Sequence, residues 1–543
     1  MALRNRHIKG RRPAWRASPP AHWATRVCTE FIYGNNLRIS FIYIHATGLI
    51  KTFAMDPVSV FLSVVVCIFL LKVFYGGKKD SQNFPPGPKP LPLIGNLHMM
   101  NMEKPYLTFM ELAKKYGSVF SVQLGTEKVV VLCGADSVRD ALINHADEFS
   151  GRPEVAIFEE IFKGHGIIFA NDENWKVMRR FSLSALRDFG MGKKTIEEKI
   201  SEESDCLVET FKSYGGKPFD NTLILNAAAA NIIVHILLNH RFDYQDPTLL
   251  KLIKSINDIV RITGSSMVML YNTYPSIMQW IPGSHKSVVE NAERLYAFLI
   301  ETFTKHRDQL DIGDQRDLID AFLVKQQEEK SSSTKFFHDE NLKVLLAHLF
   351  AAGMETTSTT LRWGFLLMMK YPEVQKKVQD EIDKVIGSAE PRLDHRKHMP
   401  FTDAVIHEIQ RFGNLVPNGL PHATTKDVTF RGYFIPKGTH VIPVLTSVLQ
   451  DEAYFKKPEE FYPEHFLNSE GLFLKNEAFL PFSAGKRICA GETLARMELF
   501  LFFTKLLQNF TFQPPPGVEV DLTCGVAITS IPLEHEICAL PRN

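Results

Sequence analysis

A helical pattern runs from about Asp339 to Lys370 and stops only where Pro372 forbids it to continue. Helical patterns of this kind dominate the chain, so the body that forms around the longest of them is mainly helical. The middle of that helix is unusual. LFAAGMETTSTTLRW, Leu349 to Trp363, sets Gly353 and the hydroxyls of Thr356, Thr357, Ser358, Thr359 and Thr360, all poor helix formers, inside a good helix. Such hydroxyls can simply bond back to carbonyls four residues earlier. The other possibility is that glycine and a displaced hydroxyl open the helix locally and leave a polar notch. Glu355, beside Thr356, would add a proton-carrying group to it.

Two alternating stretches supply a small sheet. FSVQLGTEKVVVL, Phe120 to Leu132, alternates on both sides of Gly125-Thr126 and reads as a hairpin. FRGYFIPKGTHVIPVL, Phe430 to Leu445, reads as a second, with Pro436-Lys437-Gly438 as its turn. Beyond Pro92 there is no internal repeat and no low-complexity linker. Residues 93–543 therefore read as one domain, mainly α with small β-sheets (α+β).

The chemistry begins with cysteine. The chain has 543 residues, 45% of them apolar, a formal charge of +1 and seven cysteines. That charge gives no global field for nucleic acid or acidic substrates. The cysteines (Cys28, Cys67, Cys133, Cys206, Cys489, Cys524, Cys538) are odd in number, scattered and without a Cys-x-x-Cys pair. They are neither a disulfide framework nor a zinc ribbon, and they place the chemistry on a reducing, cytosolic side. Most lone cysteines are small buried apolar side chains. Cys489 has different surroundings. In FSAGKRICAG, Phe482 to Gly491, it stands at the mouth of the helical pattern ETLARMELFLFFTKLL, beside Lys486 and Arg487. A helix N-terminus and cations favour thiolate, the form that ligates metal. Gly485 and Gly491 let the backbone approach something bulky. Behind it, Leu494, Met497 and Leu501 form the apolar stripe that buries the helix. The stretch reads as a thiolate loop packed against a cofactor.

Two spaced pairs accompany it. Glu408 and Arg411, three apart in HEIQR, share a helix face, as do Trp175 and Arg179, four apart in WKVMR. By default the first is surface decoration and the second a core tryptophan beside an arginine that reaches water.

The N-terminal region stands apart. VSVFLSVVVCIFLLKVFY, residues 58–75, is nearly all apolar and about long enough to span a bilayer. Lys72, Lys78 and Lys79 on its C-terminal flank turn that side to the cytosol. FPPGPKPLP, residues 84–92, cannot be helical and reads as a stiff hinge. Residues 1–54 carry nine Lys and Arg against one acidic residue, Glu30, the composition of a transit peptide and of charge opposed to that orientation. Translation beginning at Met55, where MDPVSVF looks like a signal-anchor start, is the reading preferred over mitochondrial targeting. The leader is then not part of the mature protein.

From Phe84 to the C-terminus the sequence resembles the cytochromes P450, the haem-thiolate monooxygenases, and closely their microsomal drug- and lipid-metabolising family two. FSAGKRICAG fits Phe-x-x-Gly-x-Arg-x-Cys-x-Gly at every fixed position, AAGMETT fits Ala-Gly-x-x-Thr, and EIQR fits Glu-x-x-Arg. Only the meander segment departs: PEHF puts His465 where arginine is common, and histidine charges near neutral pH.

The resemblance implies the cytochrome P450 fold, with haem between the long central helix and the cysteine-loop helix, behind one N-terminal transmembrane anchor. It implies haem b with Cys489 as axial thiolate ligand. Trp175, Arg179, His422 and Arg487 then hold the propionates, with Lys163 assisting, and Phe482 packs near the sulfur. Thr356 organises proton delivery to dioxygen, with Glu355 in support. NADPH-derived electrons come through NADPH–cytochrome P450 reductase, and cytochrome b5 is a further candidate partner. Lys176, Arg180, Arg187, Lys193, Lys194 and Lys486 match the basic face that such partners meet. Pocket segments correspond to residues 155–168, Phe350, Ala351, 416–420 and 524–528, mainly apolar, so fatty acids, steroids and foreign compounds all qualify as substrates. The expected place is the endoplasmic reticulum membrane, body cytosolic, with membrane lipid but no nucleic acid among the partners. A reductase-independent peroxide isomerase and a non-catalytic haem carrier are the competing functions.

Overall fold

The computed structural model describes residues 58–66, 83–329 and 335–542. The chain divides into two compact units, residues 1–77 and 78–543. In the first, residues 58–66 are helical. Among the described residues no helix is long and apolar enough to cross a membrane. Residues 67–75 of the expected anchor and the leader 1–54 lie outside the described residues.

The second unit is built on the central helix, Asp339–Lys370. His338 caps it, its Nδ1 accepting from the Asn341 N–H at 3.3 Å. Pro372, which ends it, begins the next helix, Pro372–Val385. From Leu342 to Met369 most of its side chains are buried, as a helix running through the middle of a core requires. Around it pack the helices Thr222–Leu238 and Glu492–Asn509, the second of which carries the cysteine loop at its start. Leu494, Met497 and Leu501 are buried as the stripe predicts, but so are Phe500, Phe502 and Phe503, so this helix is enclosed on nearly every side.

The first predicted hairpin is present. β1 (Val119–Leu124) and β2 (Glu127–Leu132) pair antiparallel, Leu124 opposite Glu127 across Gly125-Thr126. The second is not one hairpin. After β3 (His422–Ala423), β4 (Val428–Phe430) turns back at Arg431 and Gly432, with φ of 48° and 86°, into β5 (Tyr433–Ile435). β6 (His440–Pro443) leaves for the larger sheet, order β1-β2-β6-β3, and runs parallel to β2 with Val130 opposite Val441. Pro436-Lys437-Gly438 therefore links two sheets. Alternation shows that both segments are strands, but it does not say which strand each one pairs with. β7 (Phe510–Gln513) and β8 (Cys538–Pro541) close the chain as a separate pair. The segment 84–92 is non-helical as expected, and it is held against β1: Ser121 donates its N–H to the Pro86 carbonyl at 2.7 Å and its hydroxyl to that of Pro85 at 2.8 Å.

Glu408 and Arg411, on the helix Pro400–Gly413, are not surface decoration. Both side chains are fully buried and meet end to end, Nη2 to Oε1 at 2.7 Å and Nε to Oε2 at 2.8 Å. Arg411 spends its other donors on the carbonyls of Leu449, Pro458 and Glu460. Glu408 accepts the Tyr462 N–H at 2.8 Å and faces His465 Nδ1 at 3.2 Å. One ion pair thus ties the segment 449–465 to the helix.

Candidate active site

The loop before the cysteine helix is shaped by close contact. Gly485 has φ +71°, and a Cβ there would sit 1.7 Å from the Leu142 carbonyl oxygen, so only glycine fits. Cys489 donates its N–H to the Phe482 carbonyl at 3.0 Å, which closes the loop. Cys489 counts as exposed, yet it is surrounded by protein: its open surface faces an internal cavity of about 290 Å³. Burial pushes the thiol up, and the N–H groups of Gly491 and Glu492 with the Arg179 guanidinium offset this only in part. Sequence reasoning expected Lys486 and Arg487 to favour the thiolate, and the geometry corrects that. Lys486 is at the surface, paired with Asp147, and Arg487 points its guanidinium to the carbonyls of Ser150 and Ala170. The cation that reaches the sulfur is Arg179. A thiol held neutral by burial loses its proton when it ligates a metal.

At one side of the cavity three guanidiniums converge. Arg152 donates to the carbonyls of Ile168 and Pro421, Arg179 to that of Ile488, and Arg487 to those of Ser150 and Ala170. Among the described residues no carboxylate pairs with any of them. Burial and mutual repulsion bring Arg152 down to about 9 and Arg487 down to about 8. The Arg487 guanidinium lies over the Trp175 ring at 3.8 Å, and Trp175 Nε1 is buried without a partner. His422 Nδ1 meets the Phe149 carbonyl at 2.6 Å, and burial together with Arg152 holds the ring neutral. Three cations with no counter-ion, an unpaired indole N–H and a thiol facing the same cavity fit one dianionic group that carries a metal. The haem propionates and iron are such a group.

Of the two pairs seen in the sequence, Trp175 and Arg179 are the one found here. Trp175 and Arg179 share a face of the helix Asp172–Asp188, and Phe482, His422, Arg487 and Cys489 border the cavity with Arg179. Lys163 does not: it is exposed, with φ 49° at a helix end. The cation found instead is Arg152, which sequence reasoning missed. Its one signal is an arginine in a Gly-Arg-Pro sequence, too common a pattern to single out.

The central helix is not opened beside the cavity. It is helical throughout 339–370, and the Thr356 hydroxyl bonds back to the Ala352 carbonyl at 2.7 Å. Thr360 does the same to Thr356 at 2.8 Å. Thr356 nonetheless borders the cavity, with Ala352 and Gly353. Glu355 is turned away from it. Its Oε1 accepts from Thr529 at 2.9 Å and Thr359 at 3.2 Å, and burial pushes its carboxyl up toward the protonated form. Of the expected pocket segments, Ile167, Ile168, Val416 and Leu420 are in the wall. Phe350, Ala351 and residues 524–528 are not, and Leu349 and Ala352 present the helix face that the cavity meets.

Unlike Glu355, one buried carboxyl on the cysteine-loop helix does border the cavity. Glu498, bonded by the Thr357 hydroxyl, has its Oε2 unpartnered, and burial pushes it up to about 8. Its proton is thus kept in the fold and lost on unfolding at neutral pH. A raised carboxyl pKa makes stability fall as pH climbs from the unfolded value of about 4.3 toward 8. Glu498→Gln, which cannot ionise, is expected to raise the melting midpoint at pH 8 and leave it nearly unchanged at pH 5. Melting curves at the two pH values check this. An equal shift at both would show that the charge is not the cause.

Buried thiol, unneutralised cation cluster and apolar chamber together define a haem-thiolate protein. Comparison with known proteins gives the same answer. The chain matches the cytochrome P450 family over residues 85–539. It is 48% identical over 491 residues to cytochrome P450 2B2 of Rattus norvegicus, covering 90% of this chain and 100% of that one. It is 48% identical to cytochrome P450 2B4 of Oryctolagus cuniculus over 476 residues (87% and 97%). The same identity holds over 484 residues with cytochrome P450 2K1 of Oncorhynchus mykiss (88% and 96%). The chain belongs to the cytochrome P450 family. It is a haem-thiolate monooxygenase that oxidises lipophilic compounds with dioxygen and reductase-derived electrons.

Proposed function

We propose that Cys489 is the axial ligand and that Trp175, Arg179, His422 and Arg487, joined by Arg152, hold the propionates. The observation that carries this is the cluster of three guanidiniums, Arg152 and Arg487 buried and Arg179 half-buried, which among the described residues has no carboxylate partner and stands beside the one cysteine that faces the cavity. Bound haem supplies the oxygen activation, a chemistry beyond any side chain here. The chain supplies the rest. Arg152, Arg179 and Arg487 offset the charge of two carboxylates in a site closed to water. Phe482, under the Arg496 guanidinium at 5.2 Å, closes the side of the loop. The apolar side chains of Ile167, Ile168, Leu349, Val416 and Leu420 exclude water from the substrate.

Thr356 positions the water that carries a proton into the cavity. Its hydroxyl donates to Ala352, so its lone pairs remain to order a water. Glu355 supports it from the far side of the helix, biased toward the protonated form that a donor needs. Thr356→Ala is expected to keep haem and the spectrum of its carbon monoxide complex, while product per NADPH drops about tenfold and hydrogen peroxide rises. That ratio corresponds to only about 1.4 kcal/mol of barrier. Turnover of a lipid and drug panel, with reductase and peroxide assay, checks it. An unchanged ratio of product to NADPH would make the hydroxyl purely structural.

The reductase meets the face that carries Trp175, Lys176, Arg180, Arg187 and Lys486, which line one shallow groove. Lys176 and Lys486 are partly neutralised by Glu173 and Asp147, whereas Arg180 and Arg187 are exposed and without an acidic partner among the described residues. An acidic partner, reductase or cytochrome b5, suits such a surface. The apolar run 58–75 with its trailing lysines supports anchorage in the endoplasmic reticulum membrane with the body in the cytosol.

A further inference from the structure

His306 stands apart from the cavity, near the C-terminal end of the helix Ser284–Asp308. Both of its ring nitrogens are engaged. Nδ1 lies 2.9 Å from the Thr302 main-chain carbonyl, and Nε2 lies 2.9 Å from Oδ2 of Asp317. A carbonyl and a carboxylate only accept, so the ring that bonds both is the doubly protonated imidazolium. Asp317 is 1% exposed and caps the next helix, Leu318–Glu328, its Oδ1 accepting the Asp320 N–H at 3.0 Å. A second carboxylate, Asp320, is buried beside it, but Arg316 bonds both of its oxygens, Nε to Oδ2 at 2.6 Å and Nη2 to Oδ1 at 2.9 Å. His306, Asp317 and Asp320 bring ligand atoms close enough for a metal ion, and that guanidinium already holds the place a cation would take. Arg307 turns the other way, to Asp339 at the start of the central helix, at 2.6 Å. Among the described residues the only cation bonded to Asp317 is then His306. Burial alone would lower the pKa of the ring, but the Asp317 carboxylate and the Thr302 carbonyl, with Asp320 behind them, raise it above the ordinary 6.5.

We propose that His306 and Asp317 form a pH-sensitive latch, closed while the imidazole is charged and released when it loses its proton, which pins the segment 309–317 between the two helices. Deprotonation leaves a bare ring nitrogen facing an acceptor and a buried carboxylate without its cation. The sign follows from the direction of the shift. A histidine whose folded pKa is raised contributes stability that is complete below its unfolded value of about 6.5 and is lost as pH climbs through the folded value. Arginine keeps its charge throughout that range, so the tie from Arg307 to Asp339 holds the helix end in place. The opening is therefore local, confined to the connecting segment and the first turn of the helix that Asp317 caps.

The test uses the full chain loaded with haem and reads amide hydrogen exchange at about pH 6 and about pH 9, on either side of the transition. Rates are corrected for the intrinsic pH dependence of exchange. The reporting segment is 309–321, where the amides of Arg316, Asp320 and Ala321 are bonded to Asp320 or Asp317. The first turns of the central helix, from Asn341 onward, serve as internal control. Relative to that control, protection of 309–321 is expected to fall about tenfold at the higher pH, the loss of one charge-assisted hydrogen bond. Asp317→Asn keeps an oxygen to cap the helix but removes the charge, so its protection should be low already at pH 6 and nearly independent of pH. The comparison within the parent needs no variant and stands even if Asp317→Asn does not fold. Equal protection of 309–321 at both pH values in the parent, a fall that the control shares in full, or an undiminished pH dependence in Asp317→Asn would each overturn the proposal.

Discussion

Glu408→Ala and Arg411→Ala are each expected to yield a chain that does not retain haem and melts far below the parent. The pair is fully buried and joined by two short bonds, so either change leaves one uncompensated charge in the core. Breaking a buried pair from one side costs roughly 3–5 kcal/mol, a large part of the 5–15 kcal/mol by which a typical protein is stable. Arg411→Ala also strands the carbonyls of Leu449, Pro458 and Glu460, which lose their donors. Glu408→Ala strands the Tyr462 N–H and removes the acid that faces His465. Haem content per chain and the melting midpoint measure the effect. A variant that binds haem and melts with the parent would show that the tie to segment 449–465 contributes nothing.

Cys489→Ala is expected to abolish NADPH-driven oxidation altogether. Among the described residues no other cysteine borders the cavity: Cys133 and Cys538 are buried elsewhere, and Cys206 and Cys524 are absent from its wall. Among the described residues no other cysteine can take over the ligand position. The guanidinium cluster remains, so some haem still associates through its carboxylates, but without the sulfur that tunes the metal. Product formation with reductase and a lipophilic panel is the measurement, and it should fall to background while haem is still detected. Sustained turnover would move the ligand to another residue.

How far the sequence could be read depended on what each signal encodes. The central helix was legible to its ends, because proline and periodicity fix a helix locally. The second hairpin was not, because alternation marks a strand without naming its partner, and β6 pairs with β2, a strand 310 residues or so away. Cys489, Arg179, His422, Phe482 and Arg487 sit in spaced motifs and the fold brings them to one cavity, with Trp175 packed under Arg487. Arg152 belongs to no motif and shows itself only as a buried cation without a counter-ion. Thr356 and Glu355 are neighbours in sequence, but one helical step of about 100° sends them to different sides of the helix. His306 is silent in sequence. A lone histidine near a helix end carries no signal until the Thr302 carbonyl and the Asp317 carboxylate take its two nitrogens.

A thiolate–iron bond at Cys489 is what every role proposed for the site depends on, and the difference spectrum of the reduced protein with carbon monoxide reads that bond directly. The parent should give the strongly red-shifted Soret band of a thiolate-ligated haem, and Cys489→His should lose that band while it still binds haem. A parent without the red shift, or a Cys489→His chain that keeps it, would contradict the assignment.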